Sequence, residues 1–323
     1  MAFGRKFRNV VLLAKIETVK GTDPTPTGAD NAILPVGEIS ITPIEADRVP
    51  RNILRGYFGA PDQLLGSTWQ SIRFSVELAG SGTAGTAPAW GPLLRACAFA
   101  ETVSAGSRVD YTPVSSALES VTIYAYCDGL LYKLIGAHGT LNGVANVGGL
   151  PVLNFEFWAP FAAPAAATNA TPTLTAWKVP QIVNDANTTD LVIGGAYATG
   201  AVTGGTSYVS GGVEFDLGNV ITRRELIGAK EAVPTDRAVT GTVKTLDLTA
   251  AQEVTVMADI AADTARSIGL LHGTAAGNKV LIFFAQARLL GLTPVNLEGV
   301  WTSDLAFEAP PASGNDDMRI VVL

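Results

Sequence analysis

The chain has 323 residues, enough for two domains of ordinary size, and its 47% hydrophobic content is enough to build a sizeable core. Only 16% of its residues are charged, below the roughly 25% of an average soluble domain, which fits a subunit whose surface is covered by neighbours. Net charge is −7, residues 1–160 carry 12 basic and 13 acidic groups and residues 161–323 carry 10 and 16; with no basic run anywhere, a phosphate-gripping nucleic-acid binder is excluded.

Residues 1–36 read as an arm. Arg5, Lys6 and Arg8 precede an apolar run, Val10 to Ala14, that is shorter than a signal-peptide core. Val10 to Ile16 reads as a short strand, and TDPTPTGAD, Thr22 to Asp30, as irregular backbone. The arm has too few apolar positions to fold alone and must lie on its own domain or on a neighbour. Gly37–Ala46 alternates through Ile39 and Ile41, with Ile44 added to the same face. Ile72, Phe74, Val76 and Leu78 alternate with Arg73, Ser75 and Glu77. The two strands are expected to form a long antiparallel hairpin with Arg48–Gly66 as the connection at its tip.

Pro88–Phe99 predicts a short helix with Leu93, Leu94, Cys97 and Ala98 on its apolar face. Arg108–Pro113, Ser120–Tyr126, Leu130–Gly136 and Val152–Trp158 read as strands, with the Asp128-Gly129 hairpin signal between the middle two. Ala159–Ala176 is rich in Ala, Pro and Thr and reads as a connection. The expected organisation is an arm at 1–36, a first domain at 37–160, a linker at 161–176 and a second β domain at 177–323.

The second half replays the first. Gly37–Ile41 is echoed at Gly212–Leu217, Arg51–Gly56 at Arg223–Gly228, and Ile72–Leu78 at Val239–Leu248. The helix at Pro88–Phe99 is echoed at Ala250–Ala262, Ser120–Tyr126 at Lys279–Ala285, and Phe157–Pro160 at Phe307–Pro310.

Signs of chemistry are few. Gly80–Gly85 spells G-x-G-x-x-G, with Glu101 downstream. A dinucleotide-binding strand is apolar on both faces and its glycines open the helix directly. Here the preceding strand alternates, and Pro88 and Pro92 push the helix beyond Gly85, so the stretch reads as a flexible, sterically undemanding loop. His138 and His272, each followed by glycine, read as turn residues. Cys97 and Cys127 read as buried free thiols without metal spacing. Asp316-Asp317 reads as a solvated charge pair, and Glu45-Ala46-Asp47 as an exposed strand end. Asn169 and Asn187 head N-x-T triplets that read as loop polar residues. No stretch approaches 18 apolar residues, and no catalytic, cofactor or metal residues are assigned.

Four segments together, LAKIETVKGTDPTPTGAD at Leu13–Asp30, ISITPIE at Ile39–Glu45, ELAGSGTAGTAPAWGPLLRACAF at Glu77–Phe99 and YTPVS at Tyr111–Ser115, resemble the major tail tube proteins of long, non-contractile-tailed bacteriophages, as does Ser120–Gly129. The resemblance covers residues 10–160. It implies a mainly β fold, a tail-tube-type β-sandwich or barrel with a flanking short helix, which the internal repeat suggests is duplicated in tandem. It also implies a non-enzymatic subunit that polymerises with itself as stacked rings, alongside tape measure and tail terminator or tip proteins. DNA would pass through the lumen without specific binding, and assembly would take place in the host bacterial cytoplasm. The repeat favours three-subunit rings with pseudo-sixfold symmetry; a second half of decoration type would mean six. Candidate contacts between subunits and rings are Thr22, Asp23, Pro24, Pro26 and Asp30 of the arm, Arg48, Arg51, Arg55 and Tyr57 of the first loop, and Arg223, Arg224 and Arg237 of the stretch Thr222–Arg237. The alternatives are a tube subunit of a tailocin or type VI-like secretion system and a nucleotide-binding enzyme using the Gly80–Gly85 loop.

Overall fold

The computed structural model describes residues 4–323. Strands β1 (Val10–Ile16), β2 (Ala32–Ile33), β3 (Val36–Pro50) and β4 (Gln63–Glu77) lead to helix α1 (Gly91–Ala96). Then come β5 (Phe99–Ser104), β6 (Arg108–Pro113), β7 (Val121–Cys127), β8 (Leu130–Asn146) and β9 (Val152–Pro160). Five short strands follow: β10 (Ala165–Ala166), β11 (Leu191–Ile193), β12 (Ala196–Ala198), β13 (Ala201–Thr203) and β14 (Thr206–Tyr208). The remainder is β15 (Gly212–Asp216), β16 (Asn219–Leu226), β17 (Ala229–Arg237), β18 (Thr240–Leu246), α2 (Ala250–Ala261), β19 (Ala265–His272), β20 (Val280–Leu297), β21 (Val300–Glu308) and β22 (Met318–Val322).

The alternation in β4 does what its period requires. Ile72, Phe74 and Val76 are buried while Arg73 stays exposed, because successive side chains of a strand point to opposite faces. β4 pairs antiparallel with β3, Ile41 opposite Ile72, and with β9, Ile72 opposite Phe157. The β3–β4 hairpin runs further than its pattern suggests. Arg48, Val49 and Pro50 pair with Leu65, Leu64 and Gln63, so the connection shrinks to residues 51–62. Both faces are exposed there, so there is no buried face to impose an alternation. The first helix is also shorter than expected. Ala98 takes a φ of +64°, which ends the helical path and turns Phe99 into β5.

Two copies of one ladder make up the molecule. In the first, strands run in the order β1-β7-β8-β9-β4-β3. In the second they run β11-β19-β20-β21-β18-β15. Each helix leaves the same place, α1 after β4 and α2 after β18. Four residues abreast in the first ladder, Ile41, Ile72, Phe157 and Gly139, are matched by Phe215, Gly241, Phe307 and Leu289 in the second. One pairing read from the sequence is displaced. The counterpart of β7 is β19, whereas Lys279–Ala285 opens the counterpart of β8. Both stretches are apolar runs flanked by turns, so hydrophobicity alone cannot separate them. The first repeat also carries an insertion, the β5–β6 hairpin.

Hydrogen bonds join the repeats. β15 pairs with β8 from Gly212–Asn146 to Asp216–Asn142, and β22 pairs with both β20 and β6. One hydrophobic cluster runs through both halves. The arm lies on its own chain: β1 pairs with β7 along its whole length and buries Leu12 and Leu13 completely. The stretch 161–176 is strapped across it, with the Thr173 N–H donating to the Gly28 carbonyl at 2.8 Å and β10 pairing with β8.

Candidate assembly interface

The Gly80–Gly85 stretch is a crossing point of two backbones, and the expectation of an undemanding loop is wrong. Gly80 N–H donates to Asn278 Oδ1 at 2.7 Å and Gly82 N–H to the Gly277 carbonyl at 2.9 Å. A Cβ on Gly80 would lie 2.0 Å from the Gly277 oxygen, and one on Gly277 would lie 2.3 Å from Thr83 N. The glycines let the first repeat touch the loop between β19 and β20, and these two amides already have protein acceptors.

The histidines are in strands, not turns: Gly139 continues β8 past His138, whereas β19 ends at His272 and Gly273, with a φ of +97°, begins the turn that follows. His138 lies in β8, buried, with its pKa lowered to about 4, chiefly by burial and then by the charge of Lys20. His272 ends β19, its ring nitrogens 2.9 Å from Thr188 Oγ1 and 3.0 Å from the Gln181 carbonyl, and burial lowers its pKa too. Cys97 is buried and Cys127 half-buried, both as free thiols; desolvation raises both thiol pKa values. Among the described residues no cluster of His, Cys, Asp or Glu is arranged to hold a metal ion.

Of the arm candidates, Asp23 accepts from Tyr124 Oη at 2.5 Å, from Lys133 Nζ at 3.1 Å and from Thr25 N–H at 2.9 Å. Partial burial alone would raise its pKa, but these hydrogen bonds prevail and lower it. The Pro24 carbonyl accepts from Lys15 Nζ at 3.2 Å and Pro26 is buried. Thr22 and Asp30 remain exposed. Residues 1–3 of the arm lie outside the described residues. Sequence reading missed Glu17, a buried carboxylate at the end of β1. It accepts from Ser120 and Thr122 hydroxyls at 2.6 and 2.5 Å and from the N–H groups of Gly21 and Gly136, both at 2.6 Å. A lone acid closing an apolar strand was the only available signal.

Arg48, Arg51, Arg55 and Tyr57 all project from the β3–β4 hairpin and are exposed. Arg51 stands 3.9 Å from Asp62, and the Arg55 guanidinium lies over the Tyr57 ring at 6.0 Å. Leu54 and Phe58, between them, are fully exposed. The counterpart hairpin, β16–β17, lies over the base of the first. Arg223 meets Glu45 at 2.5 Å and Lys230 sits 5.1 Å over the Trp69 ring, while Arg224 reaches Glu231 at 3.5 Å. Arg237 is different: it is sunk against Asp317 at 2.5 Å, with side chains 12% and 4% exposed. The expectation of a solvated Asp316-Asp317 pair fails at Asp317. Asp316 instead accepts from the N–H groups of Ala312 and Ser313.

Two features remain open. The first is the polar face of the joined sheet, β3-β4-β9-β8-β15-β18-β21-β20. It carries Glu38, Glu77, Glu156, Glu214, Asp216, Asp304 and Glu308 against Arg73, Lys244 and Arg288. Arg73 pairs with Glu156 and Lys244 with Asp304, both at 2.5 Å. The second is a pair of sheet edges. Among the described residues β3 bonds only to β4, and β20 beyond Gly291 bonds only to β21, so each leaves one side unpaired there.

A family model described as phage tail tube protein matches residues 8–322. No curated protein matches the chain.

Proposed function

The chain belongs to the phage tail tube protein family and is a structural subunit of the virion tail, and from that premise we propose that three copies close into a ring with pseudo-sixfold symmetry. Rings stack into the hollow tube of a long, non-contractile tail, through which genomic DNA is delivered. One tube domain is 37–160 together with β1 of the arm, and the other is 177–323. The observation that carries this reading is the repeated strand order, β1-β7-β8-β9-β4-β3 and β11-β19-β20-β21-β18-β15. Two like domains joined by the β8–β15 ladder form a third of a six-domain ring, and head-to-tail contacts that rotate by a closing angle give rings.

The action is passive. The polar face of the joined sheet, with seven carboxylates against three cations, lines the lumen and repels a polyanion, so DNA slides with little adhesion. The exposed hairpin with Leu54 and Phe58 reaches the adjoining ring. The ends of the stack meet the tape measure and the terminator or tip proteins, and assembly takes place in the host bacterial cytoplasm. Negative-stain microscopy of the concentrated full chain, with native mass spectrometry of its rings, tests the proposal. Hollow tubes built of three-subunit rings are expected. Six-subunit rings would overturn the stoichiometry, and the absence of rings and tubes at any concentration would overturn the tube role.

A further inference from the structure

The hairpins of the two repeats part company at one glycine. In the first repeat β3 and β4 stay paired from Val36–Ser75 out to Pro50–Gln63, through three register shifts, and residues 51–62 at the tip are all exposed. In the second repeat the ladder breaks. The β15–β18 pairing ends at Asp216–Thr240, and β16 and β17 form a separate two-stranded sheet. Gly218 makes the exit with a φ of +62°, and a Cβ on it would lie 2.2 Å from the Ala238 carbonyl oxygen, so the sharp departure requires glycine.

A two-stranded ribbon is marginally stable alone, and from Asn219 to Arg237 only Asn219 and Ala232 are buried. What holds this ribbon is therefore polar, and from Asn219 to Glu231 it reaches the first repeat and its arm. Asn219 Nδ2 donates to the Cys97 and Gly139 carbonyls at 2.8 and 3.0 Å. Arg223 meets Glu45, Glu225 accepts from Ser67 Oγ, and Lys230 lies over the Trp69 ring with Nζ 3.5 Å from Thr68 Oγ1. Glu231 pairs with Lys20 at 2.7 Å. Glu45 faces Trp69 and Ala46 faces Thr68 across the root of the first hairpin, so these contacts straddle both of its strands. Two of the register shifts, between Thr42 and Glu45 and between Ala46 and Arg48, sit at that same root. Such breaks in a ladder leave groups unpaired and bend the strand, so the first hairpin is gripped where its own ladder is weakest.

We infer that the second hairpin is a brace: it grips the root of the first hairpin and fixes the direction in which Leu54 and Phe58 are presented, and it does not itself reach another ring. This rests on the reading above, in which the exposed hairpin meets the adjoining ring. The apolar surface is divided accordingly. The first hairpin exposes Val49, Leu64 and Leu65 as well as Leu54 and Phe58, whereas the turn of the second exposes only Leu226 and Ile227. Holding a tip in its docking direction beforehand removes part of the ordering cost of association. Each chain then offers one apolar tip, and a ring of three copies offers three, so a wall of six like domains is stacked through three contacts.

In the full chain, Arg223→Glu sets a like charge against Glu45. Amides of residues 63–68 in the free subunit should then exchange about fivefold faster, and the concentration needed for tubes should rise about fivefold, with three-subunit rings retained. The swap Arg223→Glu/Glu45→Arg restores the pair and should return both values to within about twofold of wild type. Leu54→Ser/Phe58→Ser should leave rings that do not stack, while Ile227→Ser should stack at the wild-type threshold. Unchanged exchange in Arg223→Glu overturns the brace whether or not rings form, as does a swap that rescues neither value. Loss of stacking in Ile227→Ser also overturns it, because the second hairpin would then reach the adjoining ring itself. Absence of rings and tubes from the wild-type chain overturns the ring reading and the count of three tips, and leaves amide exchange to decide the brace.

Discussion

The two repeats share a ladder but hold their helices by different means. α1 has six residues, begins at Trp90 without a side-chain cap, and is packed beneath β1, β5, β7 and β8 with Leu93 and Leu94 at 0% exposure. α2 has twelve residues and a full capping box, Thr249 with Gln252, yet buries only Val256 while Val254 and Met257 are 67% and 50% exposed. A one-and-a-half-turn helix is far below the length that is stable alone, so α1 exists because the first repeat encloses it. α2 meets little but β20, and it depends on its own length and cap. The insertion β5–β6 makes the difference, since it closes over α1 and has no counterpart in the second repeat.

Truncating the helices should separate them most. Leu94→Ala removes a fully buried side chain and should cost about 4 kcal/mol, whereas Met257→Ala should change subunit stability by no more than about 0.5 kcal/mol. Urea unfolding of the two variants measures both. Equal losses would mean that α2 is as enclosed as α1 and would break the comparison.

The next effect separates the two histidines. His138 has an unpartnered Nδ1 and a pKa of about 4 in place of 6.5, so the folded chain resists a proton that the unfolded chain accepts. The stabilisation from neutral His138 is complete above pH 6.5 and is lost as pH falls toward 4, about 3 kcal/mol in all. His272 has both nitrogens bonded. Unfolding midpoints at pH 7 and pH 4.5 should therefore converge more for His138→Gln than for wild type. A wild-type difference that persists unchanged in His138→Gln would remove His138 from the account.

A smaller effect tests how the first strands are fastened. β1 runs seven residues and is held at its end by Glu17, whereas β11 stops after three, before Gly194-Gly195. Glu17→Gln replaces a carboxylate that accepts four hydrogen bonds with a neutral amide and should cost about 2 kcal/mol. Amide exchange of β1 should quicken while that of β19 and β20 does not; uniform quickening would show that Glu17 fastens the whole sheet rather than one strand.

What the sequence displays is governed by burial on one face. Val10–Ile16 and Arg108–Pro113 are strands with the limits their residues suggest, and β4 follows its alternation, because one face of each meets the core. β8 and β20 run far longer than their patterns, since Gly136, Gly139, Gly143 and Pro294 look like stops. In the fold Gly139 and Gly143 admit neighbouring backbone and rings, Gly136 takes a φ of +69°, and the proline sits on an open edge. The arm and loop candidates lie in irregular stretches that read as exposed, and Arg237 differs from the others in being sunk against Asp317. Its partner Asp317 lies 80 residues away, and no local pattern reveals so distant an ion pair. The open edges of β3 and β20 were illegible for a related reason: only the pairing of the second repeat with the first shows which side of each strand is free.

The smallest effect bears on α2 alone. Thr249 accepts from Gln252 N–H through its hydroxyl, and Gln252 Oε1 accepts from Thr249 N–H at 2.9 Å, so two otherwise unpaired donors at the helix start are satisfied reciprocally. Thr249→Ala removes one of these bonds and weakens the other, at a cost of about 1 kcal/mol. In a helix carried by packing, such a loss would be diluted by tertiary contacts. In α2, with one buried residue, it should appear locally, as faster exchange of the first-turn amides at unchanged protection of β20. If instead the variant is as stable as wild type and its first turn as protected, then α2 is held by its packing after all, and the two repeats support their helices in the same way.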